Sequence, residues 1–398
     1  MRKKKILIFY QYFATPKGSW GTRIYEFAKI WVEEGYDVEV ITSIYSKSDL
    51  KASGIFKNID VEGINVKVLN IKIDNKHSFL RRVYSFIAYS ILSSVLAVFK
   101  RTDVTIASSG PISVALPGLI SKITSGSKLV FEVRDLWPQG AIELGILKNP
   151  IIIRFARFVE KTMYRYSDLI VGLSPGMRDY IKLNHPNVIS ITNSANINLF
   201  QGNRNQIPKS FQGSKFAIYT GNIGEVNNSL WLLDAGIELK RLGRDDVKIL
   251  LVGDGQLKTH ILDRIERDQI NSLVHLPLMP KQELVPFIQN AMVSLVPLKG
   301  TPILDTSSPN KFFESLAAGT PIVQNTNGWM KDYIEINEVG FTLDPNSPQD
   351  LANLLIDIAD KNLNIEGMRY NALNCAKKDF DQSVLALKYL DAIEFICL

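Results

Sequence analysis

Lys311 and Glu314 are the two residues of this chain whose types and spacing most directly suggest a binding chemistry. On a helix, side chains three residues apart share one face. A cation beside the free amides of a helix N-terminus suits a phosphate, and a carboxylate one turn further on can accept hydrogen bonds from two neighbouring hydroxyls. The pair would therefore hold a ligand that carries a diphosphate and a ribose. The alternative interpretation is an ordinary ion pair on a helix surface.

The flanking residues predict the helix that this pair needs. Ser308 suits the N-cap and Pro309 the first helical position, so we predict a helix that begins here and runs through Ala318. Gly319 is typical of a helix end, and a strand should follow at residues 322–323. The lysine would then lie in the first turn of the helix, beside amides that have no partner within it.

A wider set of motifs resembles one enzyme family in order and spacing. They are residues 132–138 (Glu-Val-Arg-Asp-Leu-Trp-Pro), residues 219–224 (Tyr-Thr-Gly-Asn-Ile-Gly), the set Lys311, Glu314, Gly319 and Pro321, and Gly328-Trp329. Over nearly its whole length the chain resembles the retaining glycosyltransferases of family 4. The residues of its motifs are most similar to those of bacterial N-acetyl-L-fucosamine transferases and their surface-polysaccharide relatives. The resemblance implies the GT-B fold, in which two Rossmann-like domains face a cleft.

The pattern of apolar runs also predicts an α/β protein with two doubly wound domains. At 398 residues, the chain exceeds what one hydrophobic core usually organises. Strands are expected near residues 5–10, 37–42, 66–71, 103–107, 128–133 and 168–172, with helices near 22–34, 79–99, 112–121 and 152–165. After a polar stretch at 193–212, strands are expected near 215–220, 247–252, 273–276, 292–296 and 321–323. We therefore expect one domain at residues 1–200 and another at 201–379.

The resemblance assigns a role to each domain. It implies that residues 1–200 bind the acceptor and that residues 201–379 bind a nucleotide-sugar donor. It also implies that the last helix, at about 380–398, packs back on the first domain. Apolar residues at near-helical spacing between 383 and 396 are consistent with that helix.

Charge is distributed unevenly along the chain. The net charge is +6, but residues 1–200 carry 27 Lys and Arg against 16 Asp and Glu, and the remainder carries 19 against 24. The first half should therefore meet an anionic partner. No aromatic-basic motif for nucleic acid accompanies the charge, so we favour a membrane surface or a lipid diphosphate. Cys375 and Cys397 offer no disulfide framework and no metal spacing, which is typical of a reducing cytoplasm.

Residues 83–99 form an uncharged apolar run between basic pairs at 81–82 and 100–101. The run is shorter than the roughly 20 residues of a transmembrane helix and contains four serines, so we do not expect it to span a bilayer. It could be a buried crossover helix or an interfacial helix, and its basic flanks favour the second alternative. With the lysines at residues 3–5, it would place the first domain on anionic lipid.

Two glycine-containing turns are candidate ligand contacts. Gly18 and Gly21 lie in the loop between the first strand and the next helix, where glycine permits close backbone approach. The third glycine of a dinucleotide fingerprint is missing, which argues against a nicotinamide dehydrogenase. The resemblance implies that this loop contacts the donor diphosphate or the acceptor, and that Gly253 lies near the nucleotide. The alternatives are a flexible loop and a simple turn.

Arg134 and Asp135 follow the strand predicted at 128–133, where site residues of parallel sheets collect. Many members of the resembling family carry a histidine in place of Arg134. Arginine cannot act as a base at neutral pH, but it can bind a phosphate with two nitrogens and stabilise a departing diphosphate. Asp135 would contact a sugar hydroxyl or orient the guanidinium. A structural Arg-Asp pair is the alternative.

The chain departs from the resembling family where that family binds the donor phosphates. Most relatives place an arginine and then a lysine after the first strand of the second domain. Here Asn222 replaces the arginine, and residues 225–228 contain no cation. Thr306 replaces the first of the family's two glutamates. The phosphates would then depend on Lys311, backbone amides and Arg134, and no metal or other cofactor is expected because these cations come from the protein.

Together these patterns predict a retaining glycosyltransferase that is cytoplasmic and peripheral on the inner face of the cell membrane. It would move a sugar from a nucleotide donor, expected to be UDP-linked, to a polyprenyl-diphosphate-linked acceptor in O-antigen or capsule synthesis. Catalytic roles are expected for Arg134, Asp135 and Lys311, and donor binding for Gly18, Gly21, Asn222, Gly253, Lys311 and Glu314. Two alternatives stay open. One is a nucleotide-sugar epimerase on the same fold, and the other is a non-catalytic partner that binds a sugar nucleotide or a glycan.

Overall fold

The structure is a computed structural model, and it describes residues 3–18, 21–74, 77–201 and 207–398. The chain divides into two compact units. The first unit contains Met1–Thr192 and Gln382–Leu398, and the second contains Asn193–Asp381. The sequence places the division near residue 200, in a polar stretch of which residues 202–206 lie outside the described residues.

The first unit is built on an eight-stranded sheet. Its elements are β1 (Lys5–Phe9), α1 (Arg23–Glu33), β2 (Asp37–Tyr45), β3 (Phe56–Val61), β4 (Ile64–Ile73), α2 (Phe79–Val98), β5 (Val104–Ser108), α3 (Ala115–Ser125), β6 (Lys128–Val133), α4 (Gln139–Glu143), α5 (Pro150–Tyr166), β7 (Leu169–Gly172), α6 (Pro175–Lys182) and β8 (Val188–Ser190). The strand order is β3-β4-β2-β1-β5-β6-β7-β8, and the neighbours are parallel except for β3, which runs antiparallel to β4. The buried strands are apolar runs, as expected for a parallel sheet covered on both faces.

The hairpin of β3 and β4 was not predicted from the sequence. Its first strand is largely exposed, so it lacks the apolar run on which the strand predictions rest. Glu62 and Gly63 connect the two strands with positive φ angles of 53° and 85°. That is the backbone of a type I′ turn, which matches the twist of a hairpin and favours glycine at its second position.

The second unit is built on a six-stranded parallel sheet. Its elements are α7 (Ile197–Phe200), β9 (Lys215–Asn222), α8 (Ser229–Arg241), β10 (Val247–Asp254), α9 (Lys258–Arg267), β11 (Leu273–Leu276), α10 (Lys281–Asn290), β12 (Ser294–Val296), α11 (Asn310–Ala317), β13 (Ile322–Gln324), α12 (Trp329–Asn337), β14 (Gly340–Thr342), α13 (Pro348–Ala359) and α14 (Glu366–Asp379). The strand order is β11-β10-β9-β12-β13-β14. The doubly wound α/β class expected for both parts of the chain is therefore confirmed.

The last helix, α15 (Gln382–Ile396), belongs to the first unit and packs against α1. The Trp31 indole Nε1 donates a hydrogen bond of 2.9 Å to the backbone oxygen of Ala386. The ring of Tyr389 meets the ring of Trp31 edge to face, with centroids 5.4 Å apart, and also contacts Phe27. These aromatic rings are fully buried, so α15 completes the hydrophobic core of the first unit.

Helix α2 combines a buried face with an apolar exposed stripe. On the buried face, the Tyr89 hydroxyl donates a hydrogen bond of 2.7 Å to the Ile41 backbone oxygen in β2. The exposed stripe, at spacings of three and four residues, consists of Leu80, Tyr84, Ile87, Ile91, Val95 and Val98. Among the described helices, none is both long and apolar enough to cross a membrane. The helix is thus a crossover between β4 and β5 that also presents apolar side chains to the surface.

The packing of α15 predicts a contrast between two substitutions of Tyr389. Tyr389→Ala should lower the free energy of unfolding by about 3–5 kcal/mol, because it leaves a cavity between Trp31 and Phe27. Tyr389→Phe should cost little, because the buried hydroxyl has no hydrogen-bond partner to lose. Thermal unfolding of the full chain measures both, with Phe395→Ala as the matched control, since Phe395 lies on the same helix and is 76% exposed. Equal losses for Tyr389→Ala and Phe395→Ala would contradict the packing role.

Candidate functional site

The Lys311 side chain lies at the carboxyl end of β9. Its Nζ is 4.0 Å from the centroid of the Tyr219 ring and 3.2 Å from Asn227 Oδ1, which belongs to the turn after the strand. A Cβ atom built on Gly221 would make only ordinary contact with the same ammonium, at 3.6 Å, so the φ of +125° and not crowding favours glycine here. The described residues place no carboxylate in an ion pair with this lysine. Its ammonium therefore depends on an aromatic face and an amide oxygen, which are weak substitutes for a counter-ion.

The position of Lys311 changes its acidity. Removal from water lowers the pKa of Lys311 to about 7, against the opposing effect of the nearby Glu314 carboxylate. An anion that bound to this ammonium would supply the missing counter-charge. The lysine is therefore suited to bind a phosphate near neutral pH.

Glu314 lies one turn further along α11, and its side chain is 11% exposed. Its Oε1 is 2.8 Å from Nζ of Lys281, the first residue of α10. Although Lys311 and Glu314 are both described, no ion pair joins them, so the surface-pair interpretation is wrong. Lys281 was missed in the sequence because it is distant along the chain from Glu314 and carries no local signal. It orients a carboxylate that can accept hydrogen bonds from hydroxyl groups.

The N-terminus of α11 differs by one residue from the prediction. The helix begins at Asn310, and Pro309 occupies the N-cap with extended backbone angles. Ser308 is not the N-cap: its hydroxyl is buried without a hydrogen-bond partner, and its backbone oxygen accepts a bond of 2.7 Å from Asn193 Nδ2. Since no side chain caps this end, the first amides of the helix keep their capacity to bind an acceptor. At the other end Gly319 has φ of +66°, which agrees with the predicted helix stop.

The carboxyl ends of β9 and β10 approach each other closely. Gly221 pairs with Gly253, and a Cβ atom on Gly253 would lie only 1.9 Å from the Gly221 backbone oxygen. Packing alone therefore requires glycine at residue 253, whether or not a ligand approaches it. Asn222 ends β9 with an exposed side chain, and its backbone oxygen accepts a bond of 2.5 Å from the Tyr219 hydroxyl.

A cation that the sequence did not predict lies beside the turn after β9. The Lys299 backbone amide donates a bond of 2.9 Å to the Val226 oxygen, and its Nζ is 3.9 Å from Glu225 Oε2. Strands β12 and β9 are neighbours in the sheet, so the loop that follows β12 reaches this turn. The stretch 225–228, which contains no cation of its own, therefore has Lys299 next to it.

In the first unit, Arg134 follows β6, but its charged partner is not Asp135. Its guanidinium Nη1 is 3.6 Å from Oε1 of Glu132, and its carbon is 4.9 Å from the centre of the Tyr10 ring. Asp135 is exposed and forms no ion pair with Arg134 within the described residues. The structural Arg-Asp pair, which was the alternative interpretation, is thus not formed, and Arg134 pairs with Glu132 instead.

Glu132 is fully buried and connects several elements of the first unit. Its Oε2 accepts bonds of 3.2 and 3.1 Å from Arg23 of α1, and its Oε1 accepts one of 2.8 Å from Ser108 of β5. Burial alone would raise the pKa of Glu132, but Arg23, Arg134 and Ser108 lower it below its ordinary value. Arg23 also donates to the backbone oxygens of Ile191 and Thr192.

This arrangement leaves Arg134 incompletely satisfied. Arg23 occupies one oxygen of Glu132, and Ser108 shares the other. Arg134 Nη1 is buried and has no hydrogen-bond partner, although the side chain as a whole is 15% exposed. A buried guanidinium N–H without an acceptor is costly, and a phosphate oxygen would satisfy it.

The glycine loop after β1 is held in place by Asp49. The Thr15 amide and hydroxyl donate to this carboxylate at 3.0 and 2.8 Å, and the Gly18 amide donates to the Thr15 oxygen at 2.9 Å. A Cβ atom on Gly18 would lie 2.9 Å from the Lys47 oxygen, so this glycine also has a packing role. Gly21 precedes α1, and residues 19–20 between the two glycines lie outside the described residues. Within the described chain, no group of three or more His, Cys, Asp or Glu side chains is placed to hold a metal ion.

Family models match both units of the chain. Residues 18–186 match the glycosyl transferase 4-like domain, and residues 214–361 match glycosyl transferases group 1. The second range contains Lys311 and Glu314, and the first contains Arg134. The chain is a glycosyltransferase of the GT-B fold.

A curated protein and solved structures that resemble this chain are glycosyltransferases or share its fold. The glycosyltransferase is 24% identical over 306 residues to the probable glycosyltransferase WbjE of Pseudomonas aeruginosa, covering 74% of this chain and 76% of WbjE. Its fold resembles the sucrose-phosphate synthase of Thermosynechococcus elongatus, with a TM-score of 0.77, 14% identity and 99% of each chain covered. It also resembles HepE of Anabaena in complex with UDP-glucose, with a TM-score of 0.71, 17% identity, and 98% of this chain and 99% of HepE covered.

The lowered pKa of Lys311 predicts how this glycosyltransferase binds a sugar nucleotide as a function of pH. UDP-glucose is a suitable probe, because its diphosphate is a diester that does not titrate between pH 6 and 9. Affinity should be constant below pH 7 and fall by up to about tenfold per pH unit above it, as the ammonium of the ligand-free protein loses its proton. Calorimetry from pH 6 to pH 9 measures this.

Lys311→Arg is the matched control, because arginine stays protonated throughout this range. It should make the affinity nearly independent of pH, whatever its absolute value. An equally steep pH dependence in Lys311→Arg would show that another group is responsible.

Proposed function

We propose that this glycosyltransferase moves a sugar from a UDP-linked donor to a polyprenyl-diphosphate-linked sugar, with retention of anomeric configuration, in the synthesis of O-antigen or capsule. The observation that carries the proposal is the ammonium of Lys311, placed without a counter-ion at an uncapped helix N-terminus, one turn before a mostly buried carboxylate. This is a binding arrangement for a phosphate followed by a diol. The UDP-glucose complex of HepE, which has a similar fold, supports the choice of nucleotide.

In this proposal the second unit binds the donor. The donor diphosphate contacts Lys311 and the first amides of α11, and the ribose hydroxyls donate to Glu314, which Lys281 orients. Asn222 and Gly253, at the ends of adjacent strands, are near the nucleotide. Lys299 adds positive charge beside the same turn. The protein thus supplies cations on the side of the donor where the leaving diphosphate develops its charge.

The first unit binds the acceptor and contributes to the transfer step. The acceptor hydroxyl oxygen forms a bond to the anomeric carbon on the face from which the diphosphate departs. The carbon–oxygen bond to the diphosphate breaks, its electron pair stays on the phosphate oxygen, and that oxygen takes the hydroxyl proton. The products are the glycoside, with its configuration retained, and UDP. Arg134 donates its unsatisfied N–H to the departing phosphate, Asp135 contacts a sugar hydroxyl, and the Gly18 and Gly21 loop lies against the donor or acceptor.

A membrane-bound acceptor requires the enzyme to work at a lipid surface, and we propose that it is peripheral on the cytoplasmic face of the cell membrane. The exposed apolar stripe of α2 supports contact between residues 79–101 and lipid. The Thr102 hydroxyl, just beyond α2, donates a bond of 2.9 Å to the Lys5 backbone oxygen, so Lys5 lies beside the basic residues 100–101. Among donor sugars we favour an N-acetylaminosugar such as N-acetyl-L-fucosamine, because the motifs resemble the enzymes that transfer it.

Turnover distinguishes this function from the alternatives. A panel of UDP-sugars is incubated with and without a polyprenyl-diphosphate-linked acceptor, and UDP release and glycolipid formation are measured. Acceptor-dependent release of UDP with a lengthened glycolipid is expected. Formation of an epimer without acceptor would favour an epimerase, and donor binding without UDP release would favour a non-catalytic partner.

Glu314→Ala should weaken UDP binding by about 1–3 kcal/mol, because the ribose hydroxyls lose their acceptor. The loss should disappear with 2′,3′-dideoxy-UDP, which wild type and Glu314→Ala should bind equally well. Calorimetry with both nucleotides measures this, and Glu335→Ala, an exposed carboxylate of the same unit, is the control. If Glu314→Ala bound UDP as tightly as wild type, the carboxylate would have no ribose role.

Arg134→Lys should lower kcat by about 10–100-fold and change the donor KM much less, because lysine keeps the charge but loses the guanidinium fork. Asp135→Asn should also lower kcat if the carboxylate contacts substrate. Both are measured with saturating lipid acceptor, with Arg178→Lys, an arginine of the same unit that pairs with Asp179, as control. Near-normal turnover in both Arg134→Lys and Arg134→Ala would make the arginine structural and would direct attention to the glycine loop.

A further inference from the structure

Helix α5 has a second apolar stripe on the surface of the first unit, which the sequence did not predict. Ile151, Phe155 and Phe158 are 78%, 66% and 66% exposed. Their spacings of four and three residues place all three within a sector of about 60° around the helix. Two exposed phenylalanine rings on one turn are unusual on a surface that faces only water.

Cations run along one side of this stripe. Arg154, Arg157, Lys161 and Arg165 are all exposed, and within the described residues none of them forms an ion pair. Their centre lies about 80° around the helix from the apolar stripe, at 100° per residue. The acidic residue of α5, Glu160, lies on the opposite side, where it accepts a hydrogen bond of 3.2 Å from the Tyr164 hydroxyl. The exposed part of α5 therefore combines apolar and positive groups without negative charge.

Helix α3 contacts both α2 and α5, the two helices that carry the apolar stripes. Its Thr124 hydroxyl is 3.5 Å from the Ala97 oxygen at the end of α2, and its Lys122 Nζ is 2.8 Å from the Tyr166 oxygen at the end of α5. On the outer side of α3, Leu116 and Ile123 are 47% and 80% exposed. We call the exposed apolar side chains of these three helices the three-helix face: Leu80, Tyr84, Ile87, Ile91, Val95, Val98, Leu116, Ile123, Ile151, Phe155 and Phe158.

We infer that α5 lies in the plane of an anionic bilayer, with Phe155 and Phe158 inserted at the headgroup boundary and its cations against the lipid phosphates. The three-helix face as a whole is then the lipid-contacting surface of the first unit. Exposed apolar side chains leave water when a bilayer covers them, and a row of cations that form no ion pair within the described residues matches a surface of phosphates. A protein partner or a second copy would need acidic groups to match these cations, whereas a bilayer supplies negative charge along the whole row. This inference deepens the proposed function, because it names the surface that brings the enzyme to a lipid-linked acceptor.

Vesicle binding of the full chain tests this surface without donor or acceptor, so that it does not depend on the proposed reaction. Sedimentation uses vesicles of phosphatidylcholine alone and of phosphatidylcholine with 30% phosphatidylglycerol, at low and high salt. Wild type should bind the anionic vesicles. The double variant Phe155→Ser and Phe158→Ser should lower the partition coefficient at least tenfold at both salt concentrations. The double variant Arg154→Gln and Arg157→Gln should lower it by about 20–30-fold at low salt and little at high salt.

Matched controls come from the second unit. Ile336→Ser removes an apolar side chain that is 80% exposed, and the double variant Lys377→Gln and Lys378→Gln removes two exposed cations. Both should bind like wild type. Insertion is measured directly by quenching with brominated lipid, which should affect a tryptophan introduced by Phe155→Trp and not one introduced by Ile336→Trp.

The outcomes distinguish lipid contact from self-association of the enzyme. If the two α5 double variants bind anionic vesicles as wild type does, or if brominated lipid leaves Phe155→Trp unquenched, the inference is wrong. Concentration-dependent self-association in sedimentation velocity that the phenylalanine variant abolishes, without vesicle binding by wild type, would assign the face to a second copy. If the phenylalanine variant lowers turnover only when the acceptor is embedded in vesicles, and not with a detergent-soluble short-chain acceptor, the surface and the proposed reaction are both supported. Normal vesicle binding without any transfer would contradict the proposed reaction alone.

Discussion

Charges removed from water must be compensated, and this constraint organises both candidate sites of the protein. Glu132 is completely buried, and it is tolerated there because Arg23, Ser108 and Arg134 surround its two oxygens. The same contacts connect α1, β5 and β6 to the segment at Ile191, since Arg23 also donates to the backbone there. Removing one partner of such a buried ion pair typically costs about 3–5 kcal/mol. These contacts therefore fix the end of β6 to neighbouring elements of the first unit.

This charge compensation is complete for Glu132 and incomplete for Arg134 and Lys311, the two cations that we propose bind the phosphates. Arg134 keeps a buried N–H without an acceptor. Lys311 has an aromatic face and an amide oxygen in place of a carboxylate, and its pKa is lowered to about 7 as a result. In both cases the protein positions a cationic hydrogen-bond donor and provides, among the described residues, no carboxylate to accept its hydrogen bond. Such unpaired groups are the ordinary sign of a binding site, because an anionic ligand completes the arrangement.

Among the described residues, apolar side chains on the surface of the first unit are also left without a partner that covers them. Helices α2 and α3 cover the sheet with one side and expose apolar residues on the other, and α5 adds two exposed phenylalanine rings beside a row of cations. No helix of the described chain is suited to cross a bilayer. Amphipathic helices of this composition bind to the surface of a bilayer. They bury their apolar side chains among the lipids, their cations are attracted to anionic headgroups, and the binding is reversible. The lipid-linked acceptor that we propose would require such reversible contact.

The amino-acid sequence by itself determined the fold class, the approximate position of most strands, and the helix that carries Lys311 and Glu314. It could do so because apolar periodicity, the helix stop at Gly319 and the order of short motifs are local properties of the chain. It did not predict the hairpin of β3, whose strand is polar and held by pairing. It also did not predict Lys281, Lys299 or Glu132 as partners, or the exposure of Phe155 and Phe158. Those features depend on which residues meet across the fold and which sides of helices stay uncovered, and only the tertiary structure decides that, because contacts between distant residues leave no spacing in a single sequence.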